Sequence, residues 1–222
     1  MENNNPVQQT LLISFLTLRK TIGVLGIAMP FILCIGTLLI GHCHQIQNSI
    51  SHYYYTNTGD VFVGILCAYS LFLIAYKGYD LQDNIVTSIA GVFALGVAFF
   101  PTTQNIDCDC SVLQLAPIPL RISVHYISAA LFFLSLAYIS FFLFTKGDNN
   151  PSPQKRIRNR IYKICAISML LCLILIAIIQ NVDSLSNLVT EYKLVFFLES
   201  IALFAFGISW LIKGEMILQD KV

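Results

Sequence analysis

Charged residues are scarce in this sequence. Aspartate, glutamate, lysine and arginine make up 11% of the 222 residues, less than half of the roughly 25% that is typical of soluble domains. Hydrophobic residues reach 56%, so a soluble enzyme, a disordered chain and a small disulfide-stapled secreted domain are excluded. The formal net charge is only +1, which indicates no nucleic-acid partner. The composition is that of a membrane protein.

Long apolar runs recur along the chain. About 20 apolar residues in a helix cross about 30 Å of hydrocarbon, and lipid cannot satisfy an open backbone. We therefore predict an all-α fold, a polytopic integral membrane bundle in which residues 1–222 form a single domain. Its six transmembrane helices are expected at about 21–40, 61–76, 85–100, 122–145, 161–179 and 194–212. Leu11, Leu12, Phe15 and Leu18 recur at helical spacing and indicate either an N-terminal extension of the first helix, which we favour, or a short helix that lies in the membrane interface.

Lysine and arginine predict the orientation of this bundle. Eleven of the 13 basic residues fall on one predicted side, and Arg121 and Lys193 fall on the other. Because cytoplasmic loops carry the excess of lysine and arginine, both termini are expected to be cytoplasmic. Three loops, at about 41–60, 101–121 and 180–193, then face the extracytoplasmic side.

Small residues indicate where helices pack closely. Ala90, Ala94 and Ala98 form a row at four-residue spacing on the third predicted helix, and Gly23 and Gly26 lie on the first. Such residues let neighbouring backbones approach each other in a membrane.

Aromatic residues near the predicted ends of the helices favour a belt at the membrane interface, where amphipathic rings are common. The residues expected in this belt are Tyr53, Tyr54, Tyr55, Tyr76, Tyr79 and Trp210.

Polar residues converge on one side of the predicted membrane. Glu199 lies six residues past Lys193, about 9 Å into the sixth predicted helix, and ionisable groups at such depth are costly and often functional. The inner halves of the helices are apolar, so we predict a polar pocket open to the extracytoplasmic side. Its expected ligand-binding residues are His52, Tyr54, Asp60, Arg121, His125, Gln180 and Glu199. The alternative is a structural network in which Glu199 bridges to Arg121 or His125 and holds helices together.

Cysteines in the outer loops leave three interpretations open. Cys43 can pair with Cys108 or Cys110 in a disulfide, which leaves one thiol over. The runs His42-Cys43-His44 and Asp107-Cys108-Asp109-Cys110 also contain metal-binding residue types, but their spacing is not diagnostic of a metal site. A disulfide, unpaired thiols and a metal site all remain open.

A second metal hypothesis uses residues of the pocket. His52, His125, Asp60 and Glu199 together offer two imidazoles and two carboxylates. A metal ion held by such a set activates water against a lipid ester, amide or phosphate. The sequence identifies no cofactor beyond this hypothesis.

One loop carries an unusual pattern. Residues 49–60 read SISHYYYTNTGD and are followed by VFVG at 61–64 and YKGY at 76–79. Here the chain resembles a group of uncharacterised bacterial multi-pass membrane proteins that share an S-I-S-x-Y-Y-Y-T-x-x-G-D run. The resemblance extends to Asp83-Asn84, His125, Arg158-Asn159, Glu199 and Gly207-Ile208-Ser209-Trp210. It implies a multi-pass protein of the bacterial inner membrane and supplies no chemistry, because the function of that group is unknown.

Three functions compete on these observations. The first is binding of a lipid or small amphiphile in the outer pocket, and it requires the fewest assumptions. The second is a metal-dependent membrane hydrolase or transferase that acts on a lipid with His125 and either Asp60 or Glu199. The third is a proton- or cation-coupled transporter that uses Glu199, which the apolar inner halves disfavour.

The sequence also bears on the hydrolase hypothesis and on the expected partners. No G-x-S-x-G motif is present, and Ser51 next to His52 is too common a pairing to indicate a nucleophile. We expect membrane lipids as partners and no nucleic acid, and a homo-oligomer stays open.

Overall fold

The structure is a computed structural model that describes residues 6–41, 43–78, 80–104, 110–147 and 151–218. Within these ranges the chain forms α-helices and no β-strand. The helices are α1 Pro6–Ile40, α2 Gly59–Ala75, α3 Leu81–Phe99, α4 Pro119–Tyr138, α5 Pro153–Gln180, α6 Ser186–Glu191 and α7 Leu194–Lys213. Short 3₁₀ helices occur at Ser51–Tyr55 and Asp183–Leu185, and a π-helical turn, Ile139–Leu143, continues α4.

The predicted helical membrane bundle is confirmed, but the count of six spans is not exact. Among the described residues, α1, α3, α4, α5 and α7 are long and apolar enough to cross a membrane. The second predicted span corresponds to α2, a shorter apolar helix of 17 residues. The predicted N-terminal extension is also confirmed, because α1 is continuous from Pro6 to Ile40.

Local capping explains why α5 begins before the apolar run at 161. Ser152 is the N-cap, and its hydroxyl accepts a hydrogen bond from the Lys155 N–H at 3.2 Å. Pro153 fits the first turn, where a helix needs no N–H from that residue. The helix therefore starts in a basic segment that apolar length alone does not reveal.

Among the described residues, α1 to α5 and α7 pack in a closed ring. Each of α1 to α4 packs against the next helix, and α7 packs against both α5 and α1. Helix α7 is the most buried, and its Phe206 and Trp210 are fully enclosed. Trp210 contacts the rings of Tyr76, Phe144 and Phe206.

The predicted aromatic belt is therefore wrong for most of its members. Trp210, Tyr53, Tyr55 and Tyr76 are each at most 3% exposed and pack inside the protein. Position along a helix fixes the depth of a side chain but not the direction in which it points. Tyr79 lies outside the described residues.

Small residues do mark close contacts between helices, as predicted. A Cβ placed on Gly23 of α1 would lie 2.8 Å from the carbonyl oxygen of Gly207 on α7. Ala90, Ala94 and Ala98 on α3 are all buried. These side chains let α1 approach α7 and let α3 pack between its neighbours.

The loops gather at two opposite ends of the bundle. At one end, Cys43 is joined to Cys110 by a disulfide, and the Lys193 ammonium donates to the Asn48 side chain at 2.6 Å. At the other end, Lys146 lies 2.7 Å from the carboxylates of both Asp80 and Asp83. Which end faces the cytoplasm stays a prediction from the distribution of basic residues.

Candidate functional site

A cavity of about 920 Å³ lies between α4 and α5, at the end of the bundle that holds the disulfide. The end nearest the loops is lined by polar groups. These belong to Asn48, Ser49, Ser51, His52, Thr102, Thr103, His125, Gln180, Asn181, Thr190 and Glu199. The rest of the cavity is a slot lined by apolar side chains. These belong to Ala129, Ala130, Phe133, Leu173, Ile174, Ile176 and Ala177, and Tyr126, Val189 and Val195 complete the lining of the cavity.

Helix geometry gives the slot its shape. His125 and Phe133 are eight residues apart on one face of α4, about 12 Å along the axis. Ala129 lies between them and Ala177 lines the slot from α5, so short side chains leave the space open. Ile174 is 53% exposed and also lines the slot, which places part of the wall on the outer surface of the bundle. The cavity therefore opens sideways, where a bilayer would lie.

Glu199 anchors the loop above the cavity. Its Oε2 accepts a hydrogen bond from the Ile50 N–H at 2.5 Å, and the Ser51 N–H bonds the same carboxylate. The predicted bridge from Glu199 to Arg121 or His125 is not what the structure shows. The loop folds down onto α7 and offers its own N–H groups instead.

The first turn of α7 is tied to the same loop. The Phe196 N–H, which has no partner within its own helix turn, donates to the Asn48 carbonyl at 3.0 Å. Loop and helix therefore hold each other through both backbone and side-chain contacts.

His125 is 2% exposed and is bonded through both ring nitrogens. Its Nδ1 lies 2.7 Å from the Phe100 carbonyl oxygen, and its Nε2 lies 3.1 Å from the Ser51 Oγ. Because a carbonyl only accepts, Nδ1 carries the proton in the neutral ring, and Nε2 accepts from the Ser51 hydroxyl. A serine and a histidine that are 74 residues apart thus meet inside the cavity.

His52 is the second histidine of the site. Burial, and to a smaller extent charge repulsion from His125 and Lys193, lowers the pKa of its imidazole to about 4. His52 is therefore neutral at physiological pH. Its Nδ1 is buried and has no hydrogen-bond partner in the described part of the chain.

Two outer loops are fastened together beside the site. The disulfide joins Cys43 to Cys110 with a Cα–Cα distance of 5.2 Å, one of the two pairings that the sequence left open. Nearby, the Tyr55 hydroxyl donates to the Thr102 carbonyl at 2.6 Å. Cys108, the third disulfide candidate, lies outside the described residues. These links hold the chain around residues 100–104 in place against the loop that carries Ser51.

The structure brings together some of the predicted ligand-binding residues. Those that line the cavity are His52, His125, Gln180 and Glu199. Asp60 is exposed on the first turn of α2, Tyr54 packs against Tyr55 and Phe62, and Arg121 donates to the Ala116 carbonyl. None of these three lines the cavity. Their role in ligand binding stays a prediction, which rested on depth alone, and depth does not fix the direction in which a side chain points.

One metal hypothesis concerns residues of the pocket, and the other concerns the runs around the loop cysteines. The set of His52, His125, Asp60 and Glu199 is not assembled, because Asp60 lies outside the cavity. Among the described residues, no three His, Cys, Asp or Glu side chains come close enough to share a metal ion. His42, Asp107 and Asp109 of the loop hypothesis lie outside the described residues.

Sequence reasoning missed Ser51 as a member of the site. The sequence places it next to His52, but its bonded partner is His125. No local spacing reveals a contact between residues so far apart along the chain. Thr102 and Thr103 were missed for the same reason.

Comparison with known protein families, with curated proteins and with solved structures found no match. The resemblance to the bacterial multi-pass group therefore stays a prediction. What the site does must be inferred from its own geometry.

Proposed function

We propose that the cavity binds one amphiphilic molecule, a lipid or a small amphiphile, with its polar head at the loops and its chain in the slot. The observation that carries this proposal is the division of the cavity into two parts. Polar groups of the loops and helix ends line one end, and apolar side chains of α4 and α5 line the other. A ligand pocket usually combines an apolar wall with a few placed polar groups, and an amphiphile matches both parts at once.

The polar end favours a head group that forms hydrogen bonds. The buried Nδ1 of His52 has no partner among the described residues, so a bound head group would satisfy an atom that is otherwise costly to bury. Gln180 and Asn181 add amide donors and acceptors at the end of α5. His52 is neutral at physiological pH, so its imidazole offers hydrogen bonds but no charge to a ligand. A head group with hydroxyl or amide groups matches this end.

The apolar slot favours a hydrocarbon chain. Each buried CH₂ group contributes about 0.8 kcal/mol when it leaves water. The sideways opening beside Ile174 lets a chain enter from the bilayer. The basic residues concentrate at the opposite end of the bundle, so the binding site faces the extracytoplasmic side of the cell membrane.

A substitution that fills the slot tests this proposal. Ala130→Phe places a ring in the slot, and Ala75→Phe places the same ring on the exposed end of α2, away from the cavity. Lipids that remain with the purified protein are measured by native mass spectrometry. We expect the wild type and Ala75→Phe to retain a stoichiometric amphiphile and Ala130→Phe to lose it. Equal retention by both variants, or none by the wild type, contradicts the proposal.

A further inference from the structure

We propose that Ser51 is a nucleophile activated by His125, and that the protein hydrolyses an acyl ester of an amphiphile held in the cavity. This inference rests on the proposed function, because the substrate must first occupy the slot. It also goes beyond it, since binding alone requires no reactive group. The juxtaposition that carries it is a serine hydroxyl and an imidazole that line a ligand-sized cavity, with a backbone carbonyl bonded to the other nitrogen of the same imidazole.

The hydrogen bonds fix the direction of proton transfer. The Phe100 carbonyl can only accept, so it keeps the proton of the neutral imidazole on Nδ1. The Nε2 lone pair then faces the Ser51 Oγ at 3.1 Å, within the range expected of a nucleophile and its general base. A base held by a third group is the recurring arrangement of activated serine nucleophiles.

The carbonyl that binds His125 Nδ1 lies at the C-terminal end of α3. Phe100 is the C-cap of α3, and its N–H closes the last turn on Gly96. The carbonyl of Val97, in that same turn, also faces the His125 ring. A helix C-terminus carries about half a negative charge, so it stabilises the imidazolium that forms when His125 takes the serine proton. This is the role that a carboxylate has in other serine hydrolases.

The backbone that carries the Ser51 nucleophile is fixed at both ends of a short helix. Ser51 begins the 3₁₀ helix Ser51–Tyr55, and the Glu199 carboxylate binds the N–H groups of Ile50 and Ser51. Glu199 is thus a positioning residue that fixes the backbone from which the Ser51 hydroxyl projects. The Tyr55 hydroxyl anchors the other end of the same helix on the Thr102 carbonyl.

Ser51 and His125 lie at the level in the cavity where the ester of a bound lipid would lie. Ser51 and His125 line the cavity near its polar end, and Ala129, one helix turn below His125, already belongs to the apolar slot. In an amphiphile the ester joins the polar head to the hydrocarbon chain. A chain that lies along Ala129 and Phe133 therefore brings its ester carbonyl to the level of the Ser51 hydroxyl.

The reaction balances with water as the only co-reactant. The Ser51 Oγ attacks the ester carbonyl carbon while its proton moves to His125 Nε2. The carbon–oxygen bond to the head group then breaks, and His125 returns the proton to the departing alkoxide. Water attacks the acyl-serine with the same imidazole as base, which releases a carboxylic acid and restores Ser51.

Covalent labelling of the full-length protein tests the inference. A long-chain alkyl fluorophosphonate reacts with an activated serine when its P–F bond breaks, and peptide mass spectrometry locates the adduct. We expect one adduct, on Ser51, in the purified wild type. His125→Gln, which keeps a polar side chain of similar size, should lower the labelling rate about 100-fold or more. Release of p-nitrophenol from a p-nitrophenyl decanoate ester should fall in parallel.

The control is another buried serine. Ser200 lies next to Glu199 on α7, bonds its own helix at 2.7 Å and does not line the cavity, so Ser200→Ala should label like the wild type. Ser51→Ala should lose both labelling and ester hydrolysis. An unfolding temperature in detergent close to that of the wild type shows that this variant is folded.

The outcomes separate this inference from the proposed function. If the wild type retains an amphiphile but shows no adduct on Ser51, or shows one that His125→Gln leaves unchanged, the catalytic inference is overturned and the binding proposal stands. If Ala130→Phe retains the amphiphile as the wild type does, the binding proposal is the one that falls.

Discussion

Glu199 holds a segment that lies 149 residues earlier in the chain. A carboxylate in an apolar helix needs donors, and the backbone N–H groups of Ile50 and Ser51 supply them. The loop in turn needs an acceptor for these groups, since a buried N–H without a partner is costly. Glu199 therefore holds the loop on the helix, beside the contacts that Phe196 and Lys193 make with Asn48.

Replacement of Glu199 should destabilise the protein. Glu199→Leu leaves the N–H groups of Ile50 and Ser51 unpaired, and we expect the free energy of unfolding in detergent to fall by about 1–3 kcal/mol. The matched control is Glu191→Leu, because Glu191 is exposed on α6 and its loss should change stability by less than about 0.5 kcal/mol. Equal effects of the two substitutions would mean that Glu199 does not anchor the loop.

His52 should make the loop sensitive to acid. Its pKa is about 4 in the folded protein, below its ordinary value of 6.5. Between these two values the unfolded state binds more protons, so the stability rises with pH and is lost as the pH falls from 6.5 towards 4. The loss is at most about 3.5 kcal/mol, because the pKa differs by about 2.5 units and one unit corresponds to about 1.4 kcal/mol.

Variants of His52 and His44 isolate the contribution of His52 to the pH dependence of stability. Thermal unfolding is measured between pH 7 and the acid range for the wild type, His52→Asn and His44→Asn. We expect His52→Asn to flatten the pH dependence and His44→Asn, which removes an exposed histidine of the same loop, to leave it unchanged. The groups that face His52 are His125 and Lys193, and both are kept in all three proteins. An unchanged slope in His52→Asn would contradict the prediction.

At the scale of residues, the sequence identified side chains but not their partners. Glu199 and His125 stand out because ionisable groups are rare in apolar helices. Their actual partners are backbone N–H groups, a backbone carbonyl and the hydroxyl of Ser51. Backbone groups are the same at every position, so no residue type reveals which of them will bind.

At the scale of helices, two glycines set the distance between α1 and α7. A Cβ on Gly207 would lie 2.7 Å from the Gly23 carbonyl oxygen, closer than carbon and oxygen pack. This contact places the fully buried Phe206 and Trp210 against the rest of the core. The polar site depends on it indirectly, because the same helix carries Glu199.

Gly207→Ala should therefore destabilise the bundle. The added methyl group pushes α1 away from α7, and overpacking of this kind costs about 1–3 kcal/mol. Gly64→Ala on α2 is the control, because nothing lies within 4 Å of a Cβ there and alanine favours a helix. We expect a lower unfolding temperature for Gly207→Ala alone. A lower temperature for Gly64→Ala, with no effect of Gly207→Ala, would contradict this packing.

The lengths of the apolar runs predicted which segments form helices better than they predicted where each helix begins and ends. The predicted 194–212 agrees closely with Leu194–Lys213, whereas the predicted 161–179 misses the first part of Pro153–Gln180. The missed part is basic and begins at a Ser152 cap, so hydrogen bonding rather than hydrophobicity starts the helix. The π-helical turn Ile139–Leu143 and the short helix α6 leave no comparable trace in hydropathy.

At the scale of the whole molecule, the two ends differ in chemistry. The end with the cavity carries a disulfide and mostly uncharged polar groups, together with Glu199 and Lys193. The opposite end carries an ion cluster of Lys146 with Asp80 and Asp83, and the buried Arg19 donates to the Tyr76 hydroxyl there at 2.9 Å. By the positive-inside rule this basic end is predicted to face the cytoplasm.

The disulfide offers a test of this orientation. Disulfides persist outside the cytoplasm and are rare inside it, so Cys43 and Cys110 should resist alkylation in freshly opened cells until a reductant is added. The mass of the peptides that contain them reports the result. Alkylation of both cysteines without reductant would place the cavity on the cytoplasmic side.

The most direct test of the amphiphile site is a high-resolution density map of protein purified from its native membrane. We expect elongated density in the slot between Ala129 and Ala177, with its wider end beside His52 and Ser51. A slot without such density, or α4 and α5 packed together so that no slot exists, would contradict the proposal that this cavity holds an amphiphile.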